Sequence, residues 1–118
     1  MMDIKLAQKR RQYRQTLDDA LEEIIRRLGE IPEVEKAILF GSYASGRRDL
    51  FTDLDLIMVM ETGQDLIHRT AELYQKLQVG VDLDLLVYTP DEFERKRGSG
   101  FLRHALETGQ VVYEKKRA

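Results

Sequence analysis

The segment from Gly41 to Leu56 constrains this chain most: Gly-Ser-Tyr-Ala-Ser-Gly-Arg-Arg-Asp-Leu-Phe-Thr-Asp-Leu-Asp-Leu. It joins a glycine–serine turn to two aspartates, Asp53 and Asp55, that open an otherwise apolar run ending at Met60. Aspartate is depleted in strands, and like charges side by side on one sheet face repel. Two of them at the mouth of a buried strand point to a cation between them. The design recurs further on, where Asp82 and Asp84 open the run Val81 to Tyr88.

Strand alternation assigns the faces. Asp53, Asp55, Ile57 and Val59 share one side, and Leu54, Leu56, Met58 and Met60 the other. In the later run Asp82, Asp84, Leu86 and Tyr88 share a side, opposite Val81, Leu83, Leu85 and Val87. If the two strands are neighbours in register, up to four carboxylates meet at one end of a sheet. Same-face residues are ~6.6 Å apart along a strand, so their carboxylates can lean together to bracket metal ions. Oxygen ligands without His or Cys favour Mg²⁺ or Mn²⁺ over zinc.

Around these strands the spacing predicts helices. Leu6, Tyr13, Leu17, Ala20, Leu21, Ile24, Ile25 and Leu28 form one apolar stripe over residues 4–28, thinner in its first half, with Gly29 and Pro32 as stops. Val34 to Phe40 reads as a strand. Ser42 is placed to cap a brief helix through Ala44 that ends at Gly46, and Arg47 to Thr52 reads as a loop. A helix after Gly63 should bury Leu66, Ala71, Leu73, Tyr74 and Leu77. Thr89-Pro90-Asp91-Glu92 combines a capping box with proline at the first helical position. That helix reaches about Arg97, a second covers Phe101 to Glu107, and Val111 to Glu114 adds a short edge strand. The expected fold is α/β: a small mixed sheet of three to four strands covered by helices.

The 118 residues suit a single domain, residues 1–118. Hydrophobic residues at 42% and charged residues at 34% mark a soluble globular chain. No apolar run approaches the ~20 residues of a membrane helix, no secretory signal core stands near the N-terminus, and there is no cysteine. The expected location is cytoplasmic, without membrane association. A net charge of −2 argues against a general nucleic-acid binder. Lys5, Lys9, Arg10, Arg11 and Arg14 nonetheless cluster on the first helix. They form either a solvated face or a docking surface for an acidic partner or RNA.

Two familiar loops fail on inspection. Gly41 and Gly46 have the glycine spacing of a Walker A loop, but Arg47 and Arg48 stand where Lys-Ser/Thr is required. Asp53-Leu54-Asp55 lacks the third ligand and the glycine of a calcium loop. His68 and His104 have no partner motif and read as surface or structural residues. Gly41 and Ser42 are left as the phosphate end, because a strand-to-helix turn points free backbone N–H groups at an anion.

Gly41-Ser42-x3-Gly46-x5-Thr52-Asp53-x-Asp55-Leu56 resembles the signature of the polymerase-β-type nucleotidyltransferase superfamily. It is most similar to the minimal nucleotidyltransferases, small proteins often paired with a HEPN-domain partner. Thr52 stands where serine is more usual, which keeps a hydroxyl. Val81 to Phe93 resembles the family's third strand and its exit, and Phe101 to Glu114 its helix-Gly-strand ending, so the likeness covers about residues 20–114.

The resemblance implies a nucleotidyltransferase fold and a metal-dependent reaction. A nucleoside monophosphate, AMP from ATP as first choice among NTPs, passes to a hydroxyl and pyrophosphate leaves. Asp53 and Asp55 would bind Mg²⁺ or Mn²⁺. Asp82 and Asp84 compete as third carboxylate; Asp84, five residues before Thr89, has the spacing of similar sequences. Gly41 and Ser42 would hold the triphosphate, with Arg47 or Arg48 adding charge on the pyrophosphate. The implied acceptor is a HEPN-domain toxin, with this chain as antitoxin. The alternatives are a non-catalytic module that masks such a partner, or transfer to a small molecule or an RNA. Homo-oligomerisation stays open.

Overall fold

The computed structural model describes residues 4–46 and 52–116. Its elements are helix α1 (Ile4–Leu28), strand β1 (Val34–Phe40), the one-turn helix α2 (Gly41–Ala44), β2 (Leu54–Met60), α3 (Leu66–Lys76), β3 (Leu83–Tyr88), α4 (Pro90–Lys96), α5 (Gly100–Thr108) and β4 (Gln110–Glu114). The four strands form one mixed sheet in the order β3-β2-β1-β4. β1 runs antiparallel to both β2 and β4, whereas β2 and β3 are parallel and joined by α3. No helix among the described residues is long and apolar enough to cross a membrane.

Alternation along the strands sends apolar side chains to both faces, so helices cover both. On one face Leu54, Leu56, Met58, Leu85 and Val87 pack against Leu17, Ile24 and Leu28 of α1 and Leu73 of α3. On the other, Ile38, Ile57 and Val59 pack against Phe93 of α4 and Leu102 and Ala105 of α5. The aspartates belong to this second face. Each fully buried Leu, Ile or Val contributes about 1.5–3 kcal/mol by leaving water.

Helix α1 buries Leu17, Ala20, Ile24 and Leu28, all in its second half, as the thinner early stripe foretells. Helix α4 starts as its sequence demands. The Thr89 hydroxyl accepts from the Glu92 backbone N–H at 3.2 Å, and Glu92 Oε1 accepts from the Thr89 N–H at 2.9 Å. Gly109 ends α5 where the chain turns straight into β4. A β-carbon there would lie 2.7 Å from the Leu39 carbonyl oxygen, so only glycine permits this approach to β1.

Two local expectations fail. Ser42 does not cap α2: the N-cap position is Phe40, and no side chain caps the turn. In α3, Leu66 and Ala71 are exposed, and Arg69 is buried instead. Leu73 and Leu77 fix the helix on the sheet, which leaves its first turn overhanging the β3 edge with Leu66 in water. Arg69 then points inward, and its Nη2 donates to Glu92 Oε1 at 2.8 Å. The strands also start one or two residues late: Asp53 precedes β2, and Val81 and Asp82 precede β3.

Candidate active site

The ladder registers build the site. Phe40 of β1 lies opposite Asp55 of β2, and Asp55 lies opposite Asp84 of β3. Cross-strand partners share a face, so these three side chains form a row across the sheet. Asp53 joins from one pleat earlier on β2. The Leu54 backbone N–H donates to the Asp82 carbonyl at 3.1 Å, which carries the parallel ladder to this end of β3. Asp53 and Asp55 are half-buried; Asp82 and Asp84 are exposed.

Electrostatically the row is uncomfortable. Burial pushes the Asp55 carboxyl up to about 6. Its protonated form can donate to the Asp84 carboxylate, and the Asp84 and Asp53 charges push in the same direction. Like charges on neighbouring carboxyls cannot all be accommodated unless a proton or a cation lies between them.

The phosphate turn abuts this row. Gly41 has φ +77°, and a β-carbon on it would collide with Asp55 Oδ2 and lie 3.0 Å from Asp55 Cγ. Glycine is therefore required twice, for its backbone conformation and for the space. Helix α2 has only four residues. It offers an anion the unbonded N–H groups of a first turn rather than a macrodipole. The turn closes through Ser45 N–H to the Gly41 carbonyl at 3.2 Å and the Ser45 hydroxyl to the Ser42 carbonyl at 2.9 Å.

Helix α1 braces both flanks. The Tyr43 hydroxyl, inside the turn, donates to Asp18. The Tyr13 hydroxyl donates at 2.9 Å to the carbonyl of Thr52, the buried residue just before Asp53. Sequence reasoning counts Tyr13 as part of an apolar stripe and passes over Asp18 and Tyr43. Neither hydroxyl contact has a local sequence signal, because the partners are 39 and 25 residues apart. Phe101 was missed too. Its ring, 52% exposed, stands edge-on to Phe40 with centroids 5.4 Å apart, at the end of the acidic row.

Of the other candidates, Arg47 and Arg48 lie outside the described residues. His68 and His104 are exposed on α3 and α5, and His68 Nδ1 lies 2.8 Å from Asp65 Oδ1. Lys5, Lys9, Arg10, Arg11 and Arg14 are exposed on α1.

Among the described residues no three metal-ligating side chains are already gathered as they would be around one ion. The donor chemistry nonetheless fits a hard divalent cation. Asp53, Asp55 and Asp84 offer only carboxylate oxygens, and the raised proton affinity of Asp55 comes partly from uncompensated negative charge beside it.

Comparison with known proteins identifies the family. Residues 22–118 match the family model of polymerase beta nucleotidyltransferases. A relative from Methanocaldococcus jannaschii, named "Putative protein adenylyltransferase", is 34% identical over 82 residues, covering 68% of this chain and 79% of its own. Among solved structures, the toxin–antitoxin MntA–HpeT (a mutant form) superposes with a TM-score of 0.54 at 26% identity, covering 80% of this chain and 72% of that one. The complex of a tri-AMPylated Shewanella oneidensis HEPN toxin with its MNT antitoxin shares the fold, with a TM-score of 0.53 at 24% identity, covering 84% and 73%. The chain belongs to the polymerase-β-type nucleotidyltransferase family and is a nucleotidyltransferase.

Proposed function

We propose that this chain transfers AMP from ATP to a hydroxyl on a protein acceptor, a HEPN-domain partner, and releases pyrophosphate. One observation carries the reading: Asp55 and Asp84 stand opposite each other on adjacent parallel strands, with the Gly41 turn packed against Asp55. The phosphate turn and the carboxylates thus meet at one end of the sheet, and the acceptor hydroxyl is assigned to another protein. The M. jannaschii relative's name and the AMPylated HEPN toxin in the neighbouring complex support the choice of AMP and of the partner.

In this reading the acceptor oxygen bonds to the α-phosphorus as the bond to the pyrophosphate oxygen breaks. The acceptor proton passes to a carboxylate oxygen of Asp84, the most solvent-open member of the Asp55–Asp84 pair, and from there to water. Backbone N–H groups at Gly41 and Ser42 and the Ser42 hydroxyl hold the triphosphate tail, with Arg47 and Arg48 assigned to the leaving group. Asp53, Asp55 and Asp84 would hold Mg²⁺ or Mn²⁺, which when bound neutralises charge on the phosphates. Asp82, exposed and one pleat behind Asp84, is assigned a supporting role. Positioning and charge neutralisation supply most of the catalysis for such a transfer.

The test is mass spectrometry of a co-expressed HEPN partner after incubation with ATP and Mg²⁺. The expected result is added AMP on a hydroxyl side chain, absent with the Asp53→Asn/Asp55→Asn double variant. A partner that stays unmodified yet is inhibited equally by that variant would overturn the enzymatic reading and leave a masking module.

A further inference from the structure

Strand β3 is a free edge of the sheet. In its parallel ladder with β2, Asp82 directs its carbonyl inward to the Leu54 N–H, so Leu83, Leu85 and Val87 turn their backbone groups outward. The first part of that edge is closed by one side chain. The Tyr74 hydroxyl donates to the Leu83 carbonyl at 3.2 Å and accepts from the Leu85 N–H at 2.9 Å. Among the described residues, the Leu85 carbonyl and the N–H and carbonyl of Val87 have no partner. Unpaired edge groups are a template for another chain, and proteins usually hide them.

Here they lie in a groove of about 790 Å³ between α3 and α4. Its rim carries Ile67 at 79%, Leu66 at 58% and Leu86 at 38% exposure, an apolar patch beside an open edge. Its far end carries Lys96 beside the Arg69–Glu92 ion pair. Lys96 Nζ lies 5.7 Å over the Tyr88 ring and makes no ion pair among the described residues. Arg69, 7% exposed in its side chain, reaches Glu92 with Nη2 while its Nε has no partner. Asp84, the same-face neighbour of Leu86, lies ~6.6 Å back along the strand, beyond the groove's lining.

We propose that this edge takes an extended, acidic and apolar segment of the acceptor protein as an added strand. The segment pairs with the Leu85 carbonyl and with Val87, lays apolar side chains on Leu66, Ile67 and Leu86, and sets a carboxylate against Lys96. Strand addition draws affinity from main-chain hydrogen bonds and specificity from alternate side chains. The acceptor as occupant rests on the proposed function; the strand-binding groove does not. A second copy of this chain fits less well, because pairing two β3 edges about a twofold axis at Val87 brings the two Lys96 side chains together with no carboxylate added for either.

The probe is a displayed library of random nine-residue peptides selected on the full chain, with the enriched peptides synthesised for fluorescence anisotropy. The expected binders alternate β-branched or aromatic residues and carry Asp or Glu. Their Kd should rise at least tenfold in Ile67→Glu and in Lys96→Glu, both surface changes that preserve folding. Exchange of the Val87 amide should slow at least tenfold on binding, and Val87→Pro should abolish binding. Asp53→Asn/Asp55→Asn should leave Kd within twofold, so a failed transfer reaction and a failed docking site give different results. No enrichment, or peptides indifferent to both Ile67→Glu and Lys96→Glu, overturns the proposal. So does a concentration-dependent dimer in sedimentation equilibrium that Ile67→Glu dissolves, which would make the occupant a second copy.

Discussion

Asp84 stands opposite Asp55 across the parallel β2–β3 ladder, and burial, reinforced by the carboxylate of Asp84 beside it, pushes the Asp55 carboxyl up to about 6. Near pH 6 the folded protein therefore keeps this carboxyl about half protonated, where an unfolded chain would have ionised it.

Stability should report this. Asp55 has a folded value above the ordinary ~3.9, so the folded state binds the extra proton between the two values. Its contribution is fully present below about pH 4 and is lost as pH rises through about 6. Asp55→Asn keeps the shape and removes the charge. At pH 8 without metal it should be more stable than the wild type by about 1–2 kcal/mol, discounted for solvent screening. That is a rise in Tm on the order of 5 °C, vanishing below about pH 4. Thermal melts across pH check it; equal curves would show that the carboxyl is not under this strain.

The two acids of β3 should part company in kinetics. Asp84→Asn should lower transfer about 100-fold or more, the scale of a lost general base or ligand. Asp82→Asn should lower it much less, because Asp82 lies before the start of β3, further from Asp55 than Asp84 is. Steady-state rates with a purified partner decide. A dead Asp82→Asn beside an active Asp84→Asn would move the third carboxylate one pleat back.

Gly41→Val should block nucleotide binding and lower stability together. The branched side chain must adopt φ +77° and collide with Asp55 Oδ2 at once. Ser42→Ala, half-buried and free of that collision, should weaken NTP binding by about 1–3 kcal/mol as one hydrogen bond to a charged group. Calorimetric titration with a non-hydrolysable NTP separates the two. Wild-type affinity in Gly41→Val would make the turn purely structural.

How much of this can be read from residues alone depends on the range of the interaction. Period-2 alternation places Asp53 and Asp55 on one face and the capping box fixes the start of α4, because both signals are local. The family motif brings the turn and the aspartates together before any register is known. Arg69 shows where such reading stops. On α3 it breaks the apolar stripe and looks solvent-facing, but its ion pair with Glu92, 23 residues later, makes burial tolerable. Leu66 fails for the converse reason: its spacing suits the core, but no element covers it at the sheet edge. The Tyr13–Thr52 and Tyr43–Asp18 contacts exist only once α1 crosses the sheet.

Breaking the Arg69–Glu92 pair from the acid side should be costly. Glu92→Ala strands a buried guanidinium and removes half of the capping box, a loss of about 3–5 kcal/mol. Arg69→Met/Glu92→Gln should cost much less, since it leaves no unpaired charge. The pH dependence runs opposite to that of Asp55. The backbone N–H of Thr89, assisted by Arg69, holds the Glu92 carboxyl below the ordinary glutamate range. Its stabilisation is present at neutral pH and is lost as pH falls through that lowered value. Denaturant melts of the three variants at pH 7 and pH 4 check both the ranking and the slope.

The basic start of α1 separates nucleotide handling from partner handling. Residues 4–12 contain no fully buried side chain, and the bracing contacts of Tyr13 and Asp18 begin just after them. Removing residues 1–11 takes away Lys5, Lys9, Arg10 and Arg11, and none of residues 4–11 is a buried core side chain. Because surface changes of this kind usually stay within ~0.5 kcal/mol, Tm should move by only a few degrees. NTP affinity should be unchanged, because the Gly41 turn and Thr52 keep their braces. If this segment docks an acidic partner surface, the association rate should fall about tenfold or more at low salt, and most of that difference should disappear at high salt. Stopped-flow association with a HEPN partner at two ionic strengths provides the measurement. An unchanged association rate would leave these cations as a solvated helix face, and the partner contacts would then lie on the sheet side of the molecule.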